Sequence, residues 1–99
     1  MSLNEVRLTG IAHDVLDLRF TPAGIPVLEF RLRHASVQAE AGGSRRVELD
    51  LPTIAFGALA QRLAGQVPAG EMIAQGFLAP RSLRSTQVVL HAREIEFSA

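Results

Sequence analysis

Residues 26–34 read PVLEFRLRH, and this stretch decides the fold of the chain. Leu28, Phe30 and Leu32 alternate with charged side chains throughout it. A period of two places successive side chains on opposite faces, which is typical of a β-strand with one buried face. We therefore predict a strand here, with its leucine and phenylalanine side chains turned toward a core.

Similar patterns surround this strand on both sides. We predict further strands at residues 4–12, 47–54, 71–79 and 87–97. Gly10 interrupts the first of them, as a bulge or a tight barrel bend would. Pro52 favours an edge or bulge position, because proline cannot donate to the ladder.

One helix and several turns join these strands. Leu59 and Leu63 are four residues apart and Gly65 follows, which predicts a short helix over residues 55–64. Turns are expected at residues 21–24 and 68–70, and loops at 38–46 and 80–86, the first of these loops being flexible.

This order of elements predicts the fold class. It is all-β with small α content: a five-stranded OB-fold barrel with one short helix between strands 3 and 4. The whole chain, residues 1–99, forms a single OB-fold domain. A β-sandwich would need more strands, and an α/β fold would need several helices.

The composition excludes several classes of protein. The chain has no cysteine, which rules out disulfides and thiolate metal sites and fits the cytoplasm. It begins without a basic segment followed by an apolar run, so we expect no signal peptide. No stretch approaches the roughly 20 apolar residues of a membrane span, so no membrane association is expected.

The sequence does not support catalysis. His13, His34 and His91 are far apart and lack the spacing of metal ligands, so we predict no metal and no cofactor. Ser36 lies near His34 without the strained turn of a catalytic nucleophile. The glycines at 42–43 lack the lysine of a phosphate loop. We predict a binding protein rather than an enzyme.

Six sequence segments carry a resemblance to a known family. They are residues 4–10 (NEVRLTG), 21–26 (TPAGIP), 33–42 (RHASVQAEAG), 56–60 (FGALA), 75–78 (QGFL) and 88–92 (VVLHA). The chain resembles the bacterial single-stranded-DNA-binding protein superfamily and, within it, the primosomal replication protein N (PriB) family. The likeness spans residues 4–97.

The resemblance implies a homodimer of OB folds that acts in replication restart. It implies binding to single-stranded DNA, to the PriA helicase and to other primosome proteins. General single-stranded-DNA-binding proteins carry a long acidic-tipped tail, whereas this chain stops at Ala99, which favours the PriB family. Two alternatives stay open: a protein-interaction OB module with little DNA affinity, or a tail-less general single-stranded-DNA-binding protein.

Arginine is the only strongly basic residue available to bind a nucleic acid. Ten arginines balance ten acidic residues and lysine is absent, so the net charge is zero. Binding therefore requires local clusters of arginine, whose planar fork suits phosphate. The candidate nucleic-acid-binding residues, on or beside the usual OB surface, are Arg19, Arg33, Arg45, Arg46, Arg81 and Arg84.

Aromatic side chains, the second requirement for single-strand binding, are scarce. The chain has no tryptophan or tyrosine. Phe30, Phe77 and Phe97 are expected in the core, and Phe56 is expected to pack under the helix. PriB relatives can carry aromatics in the 38–46 loop and on strand 3, where this chain has glycines and Glu48. We therefore predict weak, strongly salt-dependent binding by arginine.

Homodimer formation also has a physical reason. A short chain has a small core, and an open barrel leaves strand edges unpaired. A second copy related by two-fold symmetry would cover such an edge.

Overall fold

The computed structural model describes residues 1–65 and 70–97. The strands are β1 (Val6–His13), β2 (Arg19–Phe20), β3 (Pro26–Glu40), β4 (Gly43–Phe56), β5 (Glu71–Pro80) and β6 (Val88–Phe97), and the helix is α1 (Ala58–Leu63). Pro68 and Ala69, in the predicted turn at 68–70, lie outside the described residues. None of the helices described is long and apolar enough to cross a membrane.

Five of the strands close into a barrel. The sheet order is β1-β5-β6-β4-β3-β2. An additional pairing of β1 with β3 closes the five long strands into a ring. All pairs are antiparallel except β4 with β6. The two-residue β2 only extends the outer side of β3. The predicted five-stranded OB barrel, with its helix between the third and fourth long strands, is confirmed.

The barrel closes because β1 changes its partner strand midway. Residues Val6 to Ile11 pair with β5, and Ile11 to His13 pair with β3. Gly10 lies at this change, where an added Cβ would be 2.7 Å from Leu32 Cγ and 2.8 Å from the Arg33 carbonyl oxygen. Only a residue without a side chain fits here, which explains the glycine predicted from the sequence at a bulge or tight bend.

The core lies inside the barrel and under the helix. Leu28, Phe30 and Leu32 are exposed by only 1%, 3% and 0%, as their alternation predicts. Ala60 and Leu63 of α1 join this cluster, so the helix packs against the barrel core. The helix is shorter than predicted at its start, because β4 continues through Phe56.

The predicted flexible loop at 38–46 is wrong. β3 and β4 continue as an antiparallel hairpin up to a turn at Ala41 and Gly42, both of which have positive φ. We define residues 35–48 as the arm. Ala35, Val37 and Ala39 alternate with polar residues, but most residues on both faces of the arm are exposed, so no strongly apolar face marks these strands in the sequence.

Pro52 occupies the position that its chemistry requires. β4 pairs with β6 only through Thr53, Ile54 and Ala55, so Pro52 has a partner strand on the β3 side alone. The predicted edge position is confirmed.

We expect Gly76→Ala to destabilise the protein by at least about 2 kcal/mol, because the native backbone leaves no room for a side chain. An added Cβ at Gly76 would lie 1.8 Å from the His91 carbonyl oxygen, next to a register shift between β5 and β6. Urea unfolding measures the change. Gly43→Ala is the control, since its Cβ would have no neighbour closer than 3.9 Å. Equal stability of the two variants would contradict the close approach.

Candidate nucleic-acid interface

One row of side chains crosses the outer surface of four strands. Glu29 of β3 is opposite Ile54 of β4, Ile54 is level with His91 of β6, and His91 is opposite Phe77 of β5. The sequence neighbours of Glu29, Ile54 and His91 are buried, so strand alternation turns these three side chains outward. The ring of Phe77 stacks on His91 and therefore lies on the same side. We define these four residues as the outer row, and each is half-buried.

Aromatic rings stack along one end of the outer row. The His91 ring lies 4.9 Å from Phe77 and 5.9 Å from Phe56, with interplanar angles of 17° and 19°. The guanidinium of Arg93 lies 4.7 Å from the centre of the Phe77 ring. Such stacks and cation–π contacts hold side chains in fixed orientations. Phe56, at the end of β4, is 42% exposed, so it offers a ring to solvent.

Two of the predicted arginines meet at the other end of the row. Arg19 of β2 donates from Nη1 to Glu29 Oε2, and Arg81, just after β5, places its Nη1 3.6 Å from Glu29 Oε1. Arg81 also donates from Nε to Gln87 Oε1 at 2.9 Å. Two distant segments of sequence thus converge on one carboxylate.

The arginine pair and the exposed ring border the same recess. It has a volume of about 220 Å³, and its lining includes Arg19, Arg81, Phe56 and His91. A second recess of about 210 Å³ shares Glu29 and Arg81 with it and extends toward the chain after β1. Cationic and aromatic side chains therefore border the first recess together.

A second charged group lies further along β3. Asp50 accepts hydrogen bonds from His13 Nε2 at 2.8 Å and from Arg31 Nε at 3.2 Å. The hydrogen bond from His13 holds the pKa of Asp50 below its usual value, and the bond from Arg31 acts in the same direction. These three residues connect β1, β3 and β4 where the barrel closes.

The remaining predicted arginines are spread along the arm and a loop. Arg33 and Arg46 share the outer face with Glu29, whereas Arg45, opposite Gln38, is on the other face. Arg45 and Arg46 pair with Glu40 and Glu48 at 3.2 Å and 2.6 Å. Both arginines therefore lie within a paired strand, and their predicted place at the end of a flexible loop is wrong.

The arm lies far from the pair formed by Arg19 and Arg81. Gln38, opposite Arg45, is nine positions beyond Glu29 on β3, which is about 30 Å along an extended strand. The six predicted arginines therefore form no single cluster. Arg19 and Arg81 are together, and Arg84 lies in the same loop as Arg81, exposed and without an ion pair among the residues described.

The expectations for the phenylalanines need correction. Phe30 is in the core, but Phe77 is half-buried in the outer row, and Phe56 and Phe97 are 42% and 43% exposed. Phe56 stacks on His91 instead of packing under the helix. Strand alternation could have predicted the outward position of Phe56. It lies two residues after Ile54, on the same face of β4, whereas Thr53 and Ala55 are buried on the opposite face.

His34 anchors the base of the arm. It is 7% exposed, and its Nδ1 lies 2.7 Å from the Thr9 carbonyl oxygen, to which it donates. Its Nε2 lies 2.8 Å from Ser36 Oγ, and Gln38 Nε2 donates a hydrogen bond to the same hydroxyl oxygen. This histidine is thus a structural link between β1 and the arm. The residues described contain no cluster of side chains suited to a metal ion.

Sequence comparisons agree with this geometry. Residues 4–94 match a family described as another single-strand binding protein family. The replication restart protein PriB of Bordetella pertussis is 42% identical over 92 residues, covering 93% of this chain and 86% of the relative. PriB of Nitrosomonas europaea is 36% identical over 91 residues, covering 92% and 84%. The chain belongs to the PriB family of single-strand binding proteins.

Solved structures show the same barrel. PriB of Ralstonia solanacearum superimposes with a TM-score of 0.87 at 26% identity, covering 99% of this chain and 100% of that one. The single-stranded DNA binding protein of Thermus aquaticus gives a TM-score of 0.78 at 24% identity, over 98% of this chain and 50% of that one. The second likeness concerns the fold alone. The matching family is described as one of single-strand binding proteins, so the comparisons class the chain with binding proteins and not with enzymes.

We expect thermal stability to fall as the pH decreases from about 7 to about 5, with His91 contributing to the decrease. Burial lowers the pKa of His91 below its ordinary value of 6.5. The unfolded chain then takes up the proton first, so stability decreases as the pH falls through 6.5 toward the lower folded pKa. His91→Phe, which keeps a ring in the stack, should reduce this effect.

Melting temperatures measured across this pH range test the expectation. His13→Gln is the matched control, because it removes a histidine and leaves His91 in its stack. An unchanged pH dependence in His91→Phe would contradict the assignment to His91.

Proposed function

We propose that this protein binds single-stranded DNA across the recess formed by Arg19, Arg81 and Phe56, and serves as an adaptor in the replication-restart primosome. The proposal rests mainly on one observation: Arg19, Arg81 and the exposed ring of Phe56 lie together on the same outer face. Single-strand binding needs these two elements together: cations that follow the phosphates and rings on which bases stack.

The electrostatic part of the proposal rests on a continuous face. Beyond Arg81 and Arg19, the outer side of β3 and β4 carries Arg31, then Arg33 and then Arg46. Its cations come from separate segments of the chain, so a strand would contact several elements at once. Arg84 in the adjoining loop adds a further cation near the start of this path.

The aromatic part modifies our expectation from the sequence. Binding would combine arginine contacts with stacking on Phe56, whose orientation is fixed by His91. Stacking of one base contributes roughly 1–3 kcal/mol. The affinity would then be higher than for arginine contacts alone, while its dependence on salt would persist.

The partner proteins follow from the family. The relatives are named replication restart proteins, and we propose that this chain likewise contacts the PriA helicase and other primosome proteins in the cytoplasm. The arm supports a protein contact, because among the residues described its two strands pair with no strand but each other.

A homodimer is the assembly we propose. Residues Val6 to Thr9 of β1 pair with β5 alone among the residues described, so the other edge of this segment is open. A second copy could add its own β1 there by antiparallel pairing about a two-fold axis.

Single-stranded DNA binding is tested with a labelled oligonucleotide in fluorescence polarisation at several salt concentrations. We expect Arg19→Ala with Arg81→Ala to weaken binding and to reduce the slope of log affinity against log salt by about 0.7 for each phosphate that the variant no longer binds. Phe56→Leu should weaken binding about tenfold with an unchanged slope, because it removes stacking and no charge.

Arg62→Ala is the matched control, since Arg62 is an exposed arginine of α1 that borders neither recess. If Arg62→Ala weakened binding as much as either arginine of the recess, the interface would be elsewhere. No binding at low salt would favour the alternative function, a protein-interaction module.

The alternative has its own supporting observation. Four of the six predicted arginines are already paired with carboxylates, and the net charge is zero. A pulldown of PriA in the presence of nuclease separates the two functions. Retention of PriA by a chain that binds no DNA would establish the interaction module. A tail-less general coating protein would instead bind long strands cooperatively and leave PriA unbound.

Dimer formation is tested by sedimentation at micromolar concentration and by cysteine crosslinking, which is direct because the chain lacks cysteine. Single cysteines replacing the outward-facing residues Glu5, Arg7 and Thr9 should include one that forms a disulfide-linked dimer, since some residue lies close to its copy at a two-fold axis. Glu96→Cys on β6 is the control. A monomer by sedimentation would contradict the proposed assembly.

A further inference from the structure

The outer face carries a carboxylate beside most of its arginines. Glu29 holds Arg19 and Arg81, Asp50 holds Arg31, and Glu48 holds Arg46. Glu29 differs from the other acids in two respects. Its side chain is only 18% exposed, against 40% and 61% for Asp50 and Glu48, and its two oxygens go to two different arginines.

We propose that Glu29 is a resident competitor of the nucleic-acid phosphate: it holds Arg19 and Arg81 in the unbound protein and releases them to the strand. This inference rests on the function proposed above. It assigns to one acidic residue a role in setting the affinity and salt dependence of the interface.

The geometry of the two contacts makes the exchange feasible. A carboxylate and a phosphate bind guanidinium through the same planar fork of donors. Glu29 uses one oxygen for each arginine, so neither pair has the stronger bidentate form. The Arg81 contact at 3.6 Å is longer than a hydrogen bond, and Gln87 holds that side chain independently. A phosphate can therefore take over Arg81 without disturbing its position.

The surroundings of Glu29 determine what can displace it. The recess that contains its carboxylate is also lined by Phe56 and His91. A free phosphate would gain only the arginine contacts, whereas a nucleotide within a strand would also stack its base. A strand that fills the whole recess therefore displaces the carboxylate more readily than a simple anion does, because it adds base stacking to the same arginine contacts.

Substitution of Glu29 by glutamine tests the role, because glutamine keeps a hydrogen-bond acceptor and removes the charge. We expect Glu29→Gln to bind a single-stranded oligonucleotide at least about threefold more tightly at about 50 mM salt, with a salt slope steeper by about 0.7. The advantage should shrink at about 200 mM salt.

Two comparisons separate competition from a general gain of positive charge. Glu71 lies at the start of β5, opposite Ile11. It is exposed and forms no ion pair among the residues described, so Glu71→Gln makes the same charge change without releasing an arginine. It should give a smaller gain. In a chain with Arg19→Ala and Arg81→Ala, Glu29→Gln should improve binding no more than Glu71→Gln does, because the cations it would release are absent.

Weaker binding by Glu29→Gln would overturn the proposal, since it would show that Glu29 orients the arginines for the strand. An effect equal to that of Glu71→Gln would overturn it as well.

If no variant binds DNA, the proposed function fails, and titration with inorganic pyrophosphate still decides the inference. The Nε–H resonances of Arg19 and Arg81 should then respond at lower concentration in Glu29→Gln than in the unsubstituted protein; an equal response would contradict competition.

Discussion

The change of partner strand along β1 is the constraint on which the rest of the structure depends. At Ile11 the strand passes from β5 to β3, and the absence of a side chain at Gly10 permits the close approach of Leu32 and Arg33 that this requires. Closure fixes the relative positions of β3, β4, β6 and β5, and thereby aligns Glu29, Ile54, His91 and Phe77 across the outer surface. The interface is a consequence of barrel register, because its members are far apart in sequence.

Charge neutrality and nucleic-acid binding are compatible in this arrangement. The chain has equal numbers of acids and arginines, and the structure pairs them locally on the outer face instead of separating them into patches. In the proposed function, binding is an exchange of carboxylate for phosphate, which yields less free energy than the neutralisation of unpaired cations. Stacking on Phe56 would supply what charge alone does not. Such an interface would favour moderate affinity and ready release of the strand.

The sequence predicts the barrel well, because residues 26–34 and the other strands bury one face and expose the other. The sequence-based prediction fails where the strands no longer bury one of their two faces. The arm has no buried face, so its strands look like a loop, and the positions predicted for Arg45 and Arg46 fail with it. For the site, the sequence predicts Arg19 and Arg81 as candidate binding residues, but only the structure shows that they meet at Glu29. A phenylalanine before a helix usually packs beneath it, which explains the wrong interior prediction for Phe56; the parity of β4 turns it outward instead.

The central claim is that a single strand of DNA lies on the outer face that contains Phe56, His91 and Arg81. Chemical-shift mapping of the labelled protein with a short deoxythymidine oligonucleotide tests this most directly, since it reports every contacted residue without any substitution. The largest shifts should occur at these three residues and at Arg19, and they should continue along β3 toward Arg33. Shifts concentrated instead around Arg7 and Gln75, on the outward side of β1 and β5, would contradict the claim and move the interface to another part of the barrel.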